Sequence, residues 1–254
     1  MRQDEIRAMF DQQAAGYDTF WVRMAPVRDC LYFILDSVFA GLPVDARILC
    51  IGVGTGAELA HLARKNPEWR FTVVEPSGSM LDLCRQRAEQ AGFASRCHFH
   101  GGYLDSLAGS EAHDAATCFL VSHFILDEQE RAGFFGGISL RLKPGGILAS
   151  SDLCSDVESP EYQVLLPVWA RMMGASDNTD EAIGRMTATY ARDVGVLAPD
   201  TVTSIIEAGG FESSVRVFQA GMIHAWVSRR ASRYGFGTQD VDDDECGPAT
   251  EEPG

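Results

Sequence analysis

Between Arg47 and Glu75 the chain reads RILCIGVGTGAELAHLARKNPEWRFTVVE: an apolar run, three glycines at alternate positions, a helical pattern, and a second apolar run ending in an acid. A short apolar run bounded by glycine reads as a buried strand, and residues 57–64 carry apolar side chains at helical spacing. A glycine-rich turn between strand and helix lets the backbone approach a ligand. It also puts that ligand at the carboxyl edge of a sheet, near a helix N-terminus. Gly52, Gly54 and Ala57 satisfy G-x-G-x-x-A, which suits a nicotinamide dinucleotide. Glu75 at the end of the second run suits any ligand with ribose hydroxyls, dinucleotide or nucleoside alike. A tight turn that holds nothing is the third reading, and the turn alone does not separate the three.

The alternation continues downstream. Residues 71–75 form a second strand, 79–91 a helix ended by Gly92, RCHFHGG a third strand and HDAATCFLVS a fourth. Asp127 with Glu130 three residues on makes a capping-box pattern that opens a helix through Leu142. KPGG then reads as a turn and ILASSDL as a fifth strand. Strands spaced by helices of this length predict βαβ units and a parallel sheet. The pattern breaks at Ser155 into helices at 161–173, 180–192 and 200–208. FESSVRVFQ and MIHAWVSRR follow as strands joined by Ala220-Gly221, a hairpin connection. The expected domain covers residues 1–236, with a helical cap at 1–44 and a helical insertion at 155–199.

Charge narrows the partners. The net charge is −15, and from Asp240 to the end there are seven acids and no base. Both parts of the chain repel a polyphosphate backbone, which argues against nucleic acid. Residues 237–254 read as a disordered acidic tail. The start carries acids early and lacks the apolar centre of a signal peptide. The most apolar early stretch, CLYFILDSVFAGL, is too short to span a bilayer and contains Asp36. Seven cysteines lack a C-x-x-C pair and mostly sit in apolar runs, as reduced cysteines do. These features predict a cytoplasmic, reduced protein with no membrane segment. His98 and His100 share a strand face, but no third ligand is in view and no metal site is expected.

Taken together, ILCIGVGTG, VVEPSGSML, HDAATCFLVSHFIL, LRLKPGGILASSD and the terminal hairpin resemble the class I S-adenosylmethionine-dependent methyltransferases, from about Tyr17 to Arg230. The resemblance implies an α/β, Rossmann-like fold. It would have a seven-stranded, mostly parallel sheet, helices on both faces, an antiparallel C-terminal hairpin and a helical lid over 155–199. It implies S-adenosyl-L-methionine as cofactor, with the backbone of Gly52, Gly54 and Gly56 against its methionine part. Glu75 would accept from both ribose hydroxyls, Pro76 and Met80 would flank the adenine, and Phe119 would border the cofactor. Tyr17, in the N-terminal GYD, would close over it. The family's first motif has an acid where this chain has Cys50, and a Gly-Asp after the third strand where this chain has Gly101-Gly102. Asp105, three residues on, is the candidate substitute for the adenine contact.

Methyl transfer from a sulfonium is an in-line displacement, so the protein chiefly positions the nucleophile and excludes water. A base is needed only when the acceptor must lose a proton. His123, just past the fourth strand, is the candidate base, with a packing or capping role as its alternative. Asp152 lines the pocket or caps the turn that follows it. No NPPY-type motif for amide or base-amino methylation occurs, so the expected acceptor is a small molecule, and a homodimer is an assembly open to the chain. Trp169, Arg171, Arg185 and Tyr190 of the insertion are the candidate acceptor-binding residues; amphipathic packing with solvated arginines is the plain alternative. The GYD entry, the insertion and IIEAGGFESSVRVFQAGMIHAWVSRR also look like the bacterial carboxy-S-adenosylmethionine synthase group. There an insertion arginine binds the added carboxylate, and Arg185 is the nearest match. Cys50 and Gly102 motivate the remaining reading, a cofactor-binding module without catalysis.

Overall fold

The computed structural model describes residues 3–109, 112–174 and 179–232, so the expected tail at 237–254 lies outside the described residues. Helices α1 (Gln3–Gln13), α2 (Tyr17–Trp21) and α3 (Ala25–Phe39) come first. Strands and helices then alternate: β1 (Arg47–Ile51), α4 (Ala57–Lys65), β2 (Arg70–Glu75), α5 (Gly78–Gln90), β3 (Cys97–Gly101), β4 (His113–Phe119), α6 (Glu128–Ser139) and β5 (Leu142–Leu153). After them follow α7 (Pro160–Met172), α8 (Asp180–Asp193), α9 (Pro199–Ala208) and the hairpin of β6 (Phe211–Ala220) and β7 (Ile223–Arg230). The seven strands lie in the order β3-β2-β1-β4-β5-β7-β6. The first five run parallel, and β7 is antiparallel to both of its neighbours. The order reverses between β1 and β4, the kind of switch point beside which an α/β sheet opens a crevice.

Strand β1 shows why its sequence is an unbroken apolar run. Successive side chains point to opposite faces. Ile48 and Cys50 join Leu35, Phe39, Leu59 and Leu81 of α3, α4 and α5, while Leu49 and Ile51 join Phe135, Ile138, Ile205 and Ile206 of α6 and α9. A strand covered on both faces has no polar side to show. A third cluster forms where α7 packs on the hairpin and the N-terminal helices, with Tyr162, Leu166 and Trp169 against Met24, Met222 and Ile223.

Several boundaries differ from expectation. Helix α6 ends at Ser139 rather than Leu142, because Leu142 already pairs with His113 in the sheet. KPGG is not a turn between elements but a bulge inside β5, between the Leu142–His113 and Ile147–Ala115 pairs. Gly145 has φ +73°, and a Cβ on Gly146 would lie 2.8 Å from the Lys143 carbonyl oxygen, so glycine suits both positions. The hairpin turns at Gly221-Met222, since Ala220 still pairs with Ile223 and Met222 folds inward to full burial.

Candidate functional site

All three glycines of the first turn are left-handed, with φ +62° at Gly52, +56° at Gly54 and +83° at Gly56, a region that strains any residue with a Cβ. Their surroundings divide their roles. A Cβ on Gly52 would meet Val121 Cγ2 at 2.3 Å and one on Gly56 would meet Cys84 Sγ at 2.6 Å, whereas on Gly54 nothing lies nearer than Tyr17 Cε1 at 3.9 Å. Gly52 and Gly54 line a cavity of about 550 Å³ at the carboxyl edge of the sheet. Gly56 is outside its lining and serves instead to bring α4 against α5.

Glu75 ends β2 on the wall of this cavity and is 6% exposed. The backbone N–H of Gly54 donates to its Oε2 and that of Ser77 to its Oε1, both at 2.9 Å. Burial pushes the carboxyl up, and these two N–H groups oppose the rise. Each oxygen keeps acceptor capacity beyond its one backbone bond. Pro76, Met80, Asp105 and Phe119 line the same cavity, so the structure gathers them with Tyr17, Gly52, Gly54 and Glu75. Leu120, directly after β4, has φ +57° and also lines it; such backbone is costly for leucine and is held here by the Leu120 N–H bond to the Ser151 carbonyl.

The roof of the cavity is α1. Gln3, Ile6, Arg7 and Phe10 face it, although no residue of α1 is buried. Four contacts seat the helix: Ser77 Oγ and the Ser79 N–H donate to Asp11, Tyr103 Oη donates to the Gln3 carbonyl, and the Phe10 ring meets Phe124 edge-on at 5.5 Å. Helix α2 is tied down separately. Thr55 of the glycine turn donates to Asp18, which also pairs with Arg87 of α5. Tyr17 sits inside this frame; burial first, then the Glu75 charge, pushes its phenol up to about 12.

His123, the candidate base, is elsewhere. It is 2% exposed, is not part of the lining, and its Nδ1 lies 3.0 Å from Asp152 Oδ1. Asp152 also accepts from Ser122 Oγ at 2.6 Å and pairs with Arg131 at 3.1 Å. Arg131 in turn donates to the Gly195 carbonyl, and the Gly195 N–H donates to the His123 carbonyl. Burial pushes the Asp152 carboxyl up, but Arg131, His123 and Ser122 together hold it below its ordinary value. This network fastens the end of the insertion to the segment after β4. Its members are occupied with one another.

None of the four insertion residues lines the cavity. Trp169 is 0% exposed, because its ring packs on Gly221 and its Nε1 donates to Tyr190 Oη at 2.7 Å. Tyr190 is thereby held in the same cluster. Arg171 is exposed, and Arg185, with its side chain 67% exposed, pairs with Glu181 one helical turn away. The insertion reaches the cavity indirectly, by packing behind Leu120 and Phe124. Within the expected N-terminal cap it is α1 that forms the roof, through the apolar face that the Ile6–Phe10 spacing marks, and Val121, Phe124 and Phe134 are walls that no motif signals. Glu58, on the first turn of α4, is a buried acid that nothing in the local pattern sets apart.

Residues 48–146 match the family model described as a methyltransferase domain. Over 115 residues the chain is 30% identical to erythromycin 3''-O-methyltransferase of Saccharopolyspora erythraea, covering 45% of this chain and 37% of that one. Over 158 residues it is 28% identical to the biotin biosynthesis bifunctional protein BioHC of Teredinibacter turnerae, covering 60% of this chain and 27% of that one. The chain therefore spans well under half the length of either curated relative. The structure of an O-methyltransferase family protein from Burkholderia thailandensis matches with a TM-score of 0.64 at 17% identity, over 91% of this chain and 63% of that one, a likeness of fold. Among the described residues no helix is long and apolar enough to cross a membrane.

Proposed function

We propose, from the match of residues 48–146 to the methyltransferase-domain model, that the chain is an S-adenosyl-L-methionine-dependent methyltransferase acting on a small-molecule acceptor, with oxygen as the atom methylated. One observation carries the reading: the Glu75 carboxylate is anchored through the Gly54 N–H at 2.9 Å, on the wall of a cavity that Gly54 itself leaves open. A buried carboxylate with spare acceptor capacity suits the paired hydroxyls of a ribose. The apolar walls at Pro76, Met80 and Phe119 suit a planar base, with Asp105 at its polar edge. The curated relative named for O-methylation supports oxygen as the acceptor atom.

When bound, the cofactor supplies an activated methyl group on a sulfonium. The chain's own part is then to orient and to exclude water. Phe10, Tyr17 and Phe124 close the cavity with α1 as a cap, while the insertion braces the wall at Leu120 and Phe124. His123 is spent on Asp152, so positioning rather than a resident base is the main catalytic effect in this reading. Titration calorimetry with S-adenosylhomocysteine tests it, with one-to-one binding expected. No binding of that ligand, or binding of NADH in its place, would overturn it. A metabolite screen scored by S-adenosylhomocysteine release then identifies the acceptor.

A further inference from the structure

The cavity continues past the residues assigned to the cofactor. Beyond Asp105 its lining runs along one face of α6, through Glu130, Gly133, Phe134 and Gly137, to Arg141 just after the helix. From Glu130 to Gly137 that is about 10 Å of helix. The gap has a topological cause. Successive parallel strands are usually joined through a helix that covers the sheet face, and β1–β2, β2–β3 and β4–β5 each have one. Between β3 and β4 the described residues hold only a single 3₁₀ turn, Leu104–Ser106. Helix α6 therefore packs on α9 along one flank and meets this short turn along the other. A Cβ on Gly133 would meet nothing within 4 Å, whereas one on Gly137 would touch Leu104 Cδ2 at 3.5 Å, so the open space lies at Gly133. The charged side chains of the lining have partners or water. Glu75 is anchored at the far end by two N–H groups, and Arg7 pairs with Asp4, both well exposed. Arg141 donates to the Gly137 and Leu107 carbonyls, each at 3.0 Å, while Glu130 and Asp105 are exposed. Between them the walls are apolar, with Ile6, Leu104, Ile125 and Phe134.

Where the family's pattern has an acid after the third strand, a Cβ on Gly102 would lie 2.7 Å from Ser106 Oγ and 2.9 Å from His100 Nε2. No side chain fits there to hold the amino group of a base. We infer that the compartment between α6 and the Leu104–Ser106 turn is a binding site for an uncharged apolar group carried on the adenine amino nitrogen of the cofactor. The inference rests on the proposed function, which sets the base between Pro76, Met80 and Phe119 with Asp105 at its edge. The methylated acceptor is a different molecule, because it must reach the sulfur, and in that reading the sulfur lies against Gly52 and Gly54 at the opposite end. A group on the base buries apolar surface in this compartment and leaves Glu75 and the glycine turn undisturbed.

Calorimetry on the full chain, comparing S-adenosylhomocysteine with its derivative benzylated on the adenine amino nitrogen, reads this directly. The parent should bind the benzyl derivative as tightly as the plain ligand, to within about threefold, or more tightly. Gly133→Leu fills the compartment, and leucine is the better helix former, so the fold is kept. That variant should lose about tenfold or more in affinity for the benzyl derivative, while S-adenosylhomocysteine stays within about twofold of the parent. Arg7, Glu75, Asp105, Glu130 and Arg141, the charged groups on the cavity, stay in both proteins. Weaker binding of the benzyl derivative by the parent than that, or a Gly133→Leu effect that is the same on both ligands, overturns the inference and leaves the proposed function standing. Failure of both ligands to bind the parent overturns the two together.

Discussion

Asp11 and Ser77 are 66 residues apart in the chain and joined by a 2.6 Å hydrogen bond, with Ser77 Oγ donating to Asp11 Oδ1. The Ser79 N–H donates to the same oxygen at 3.0 Å, so a carboxylate from α1 sits at the N-terminus of α5, where the helix dipole favours it. The Ser77 bond, and then the Ser79 N–H, hold the carboxyl below its ordinary value. Asp11→Ala should release the roof while leaving the core intact, because no residue of α1 is buried. S-adenosylhomocysteine affinity is expected to fall about three- to tenfold, with faster amide exchange in α1 and little change in melting temperature.

Glu75→Ala removes a charged acceptor and also strands two backbone donors, those of Gly54 and Ser77. The loss in cofactor affinity should be ~1.5–3 kcal/mol, or roughly 10- to 150-fold. Calorimetry measures it. Unchanged affinity would remove Glu75 from the site.

The glycines of the turn should separate in their effects. Gly56→Ala combines left-handed backbone with a Cβ 2.6 Å from Cys84 Sγ, and should destabilise the fold by about 2–4 kcal/mol. Adding Cys84→Ala should recover the steric part and leave the backbone part. Gly54→Ala meets no close neighbour, so its stability cost should be only about 1–2 kcal/mol, while its methyl group intrudes on the cavity and weakens the cofactor. Urea denaturation beside calorimetry resolves the two.

Arg131→Met leaves Asp152 buried without its cation, a loss of about 3–5 kcal/mol. The parent's Asp152 is held low, so its stabilising contribution is present above the unfolded pKa and is lost as pH falls through the lower folded value. In the variant burial dominates and the carboxyl rises. Acid unfolding should therefore begin at a higher pH than in the parent, which circular dichroism across pH 3–7 would show.

Glu58 gives the opposite sign. Its folded carboxyl is pushed up to about 7, so between about pH 4.3 and that value the folded state holds a proton the unfolded chain has lost. Stability from this group falls as pH rises across that window and levels off above it. Glu58→Gln should flatten this decline and be the more stable protein at pH 8. A parent whose stability rises from pH 5 to 7 by the same amount as the variant's would count against the assignment.

Much of the site's floor was legible from neighbours in sequence. The glycine turn, Glu75 at the end of β2, and the Asp127 cap, which accepts from the Glu130 N–H at 2.9 Å, are set by interactions within a few residues. The alternation of apolar runs with helical patterns likewise implied a parallel sheet covered on both faces, because a run with no polar side must be buried on both. The KPGG stretch is a local signal that misled: its glycines mark a reversal of backbone direction, but a bulge inside β5 needs the same conformations as a turn between elements.

Local sequence thus specifies the order of strands and helices, the chemistry of the first turn and the acid that faces it. Which surfaces meet is settled by packing across the whole fold. Amphipathic spacing in α1 and α7 says that one face will be covered, not by what; packing put Phe10 over the cavity and sent Trp169 into the hairpin instead. Asp152 captures His123 and Arg131 only because β5 lies beside β4. Glu58 is a solvated helix acid on paper and a buried one in space, because the register that sets Cys50 beside Thr117 closes over it. Such contacts arise from the whole sheet's order, and a desolvated charge acquires its meaning only when the surrounding water has been excluded.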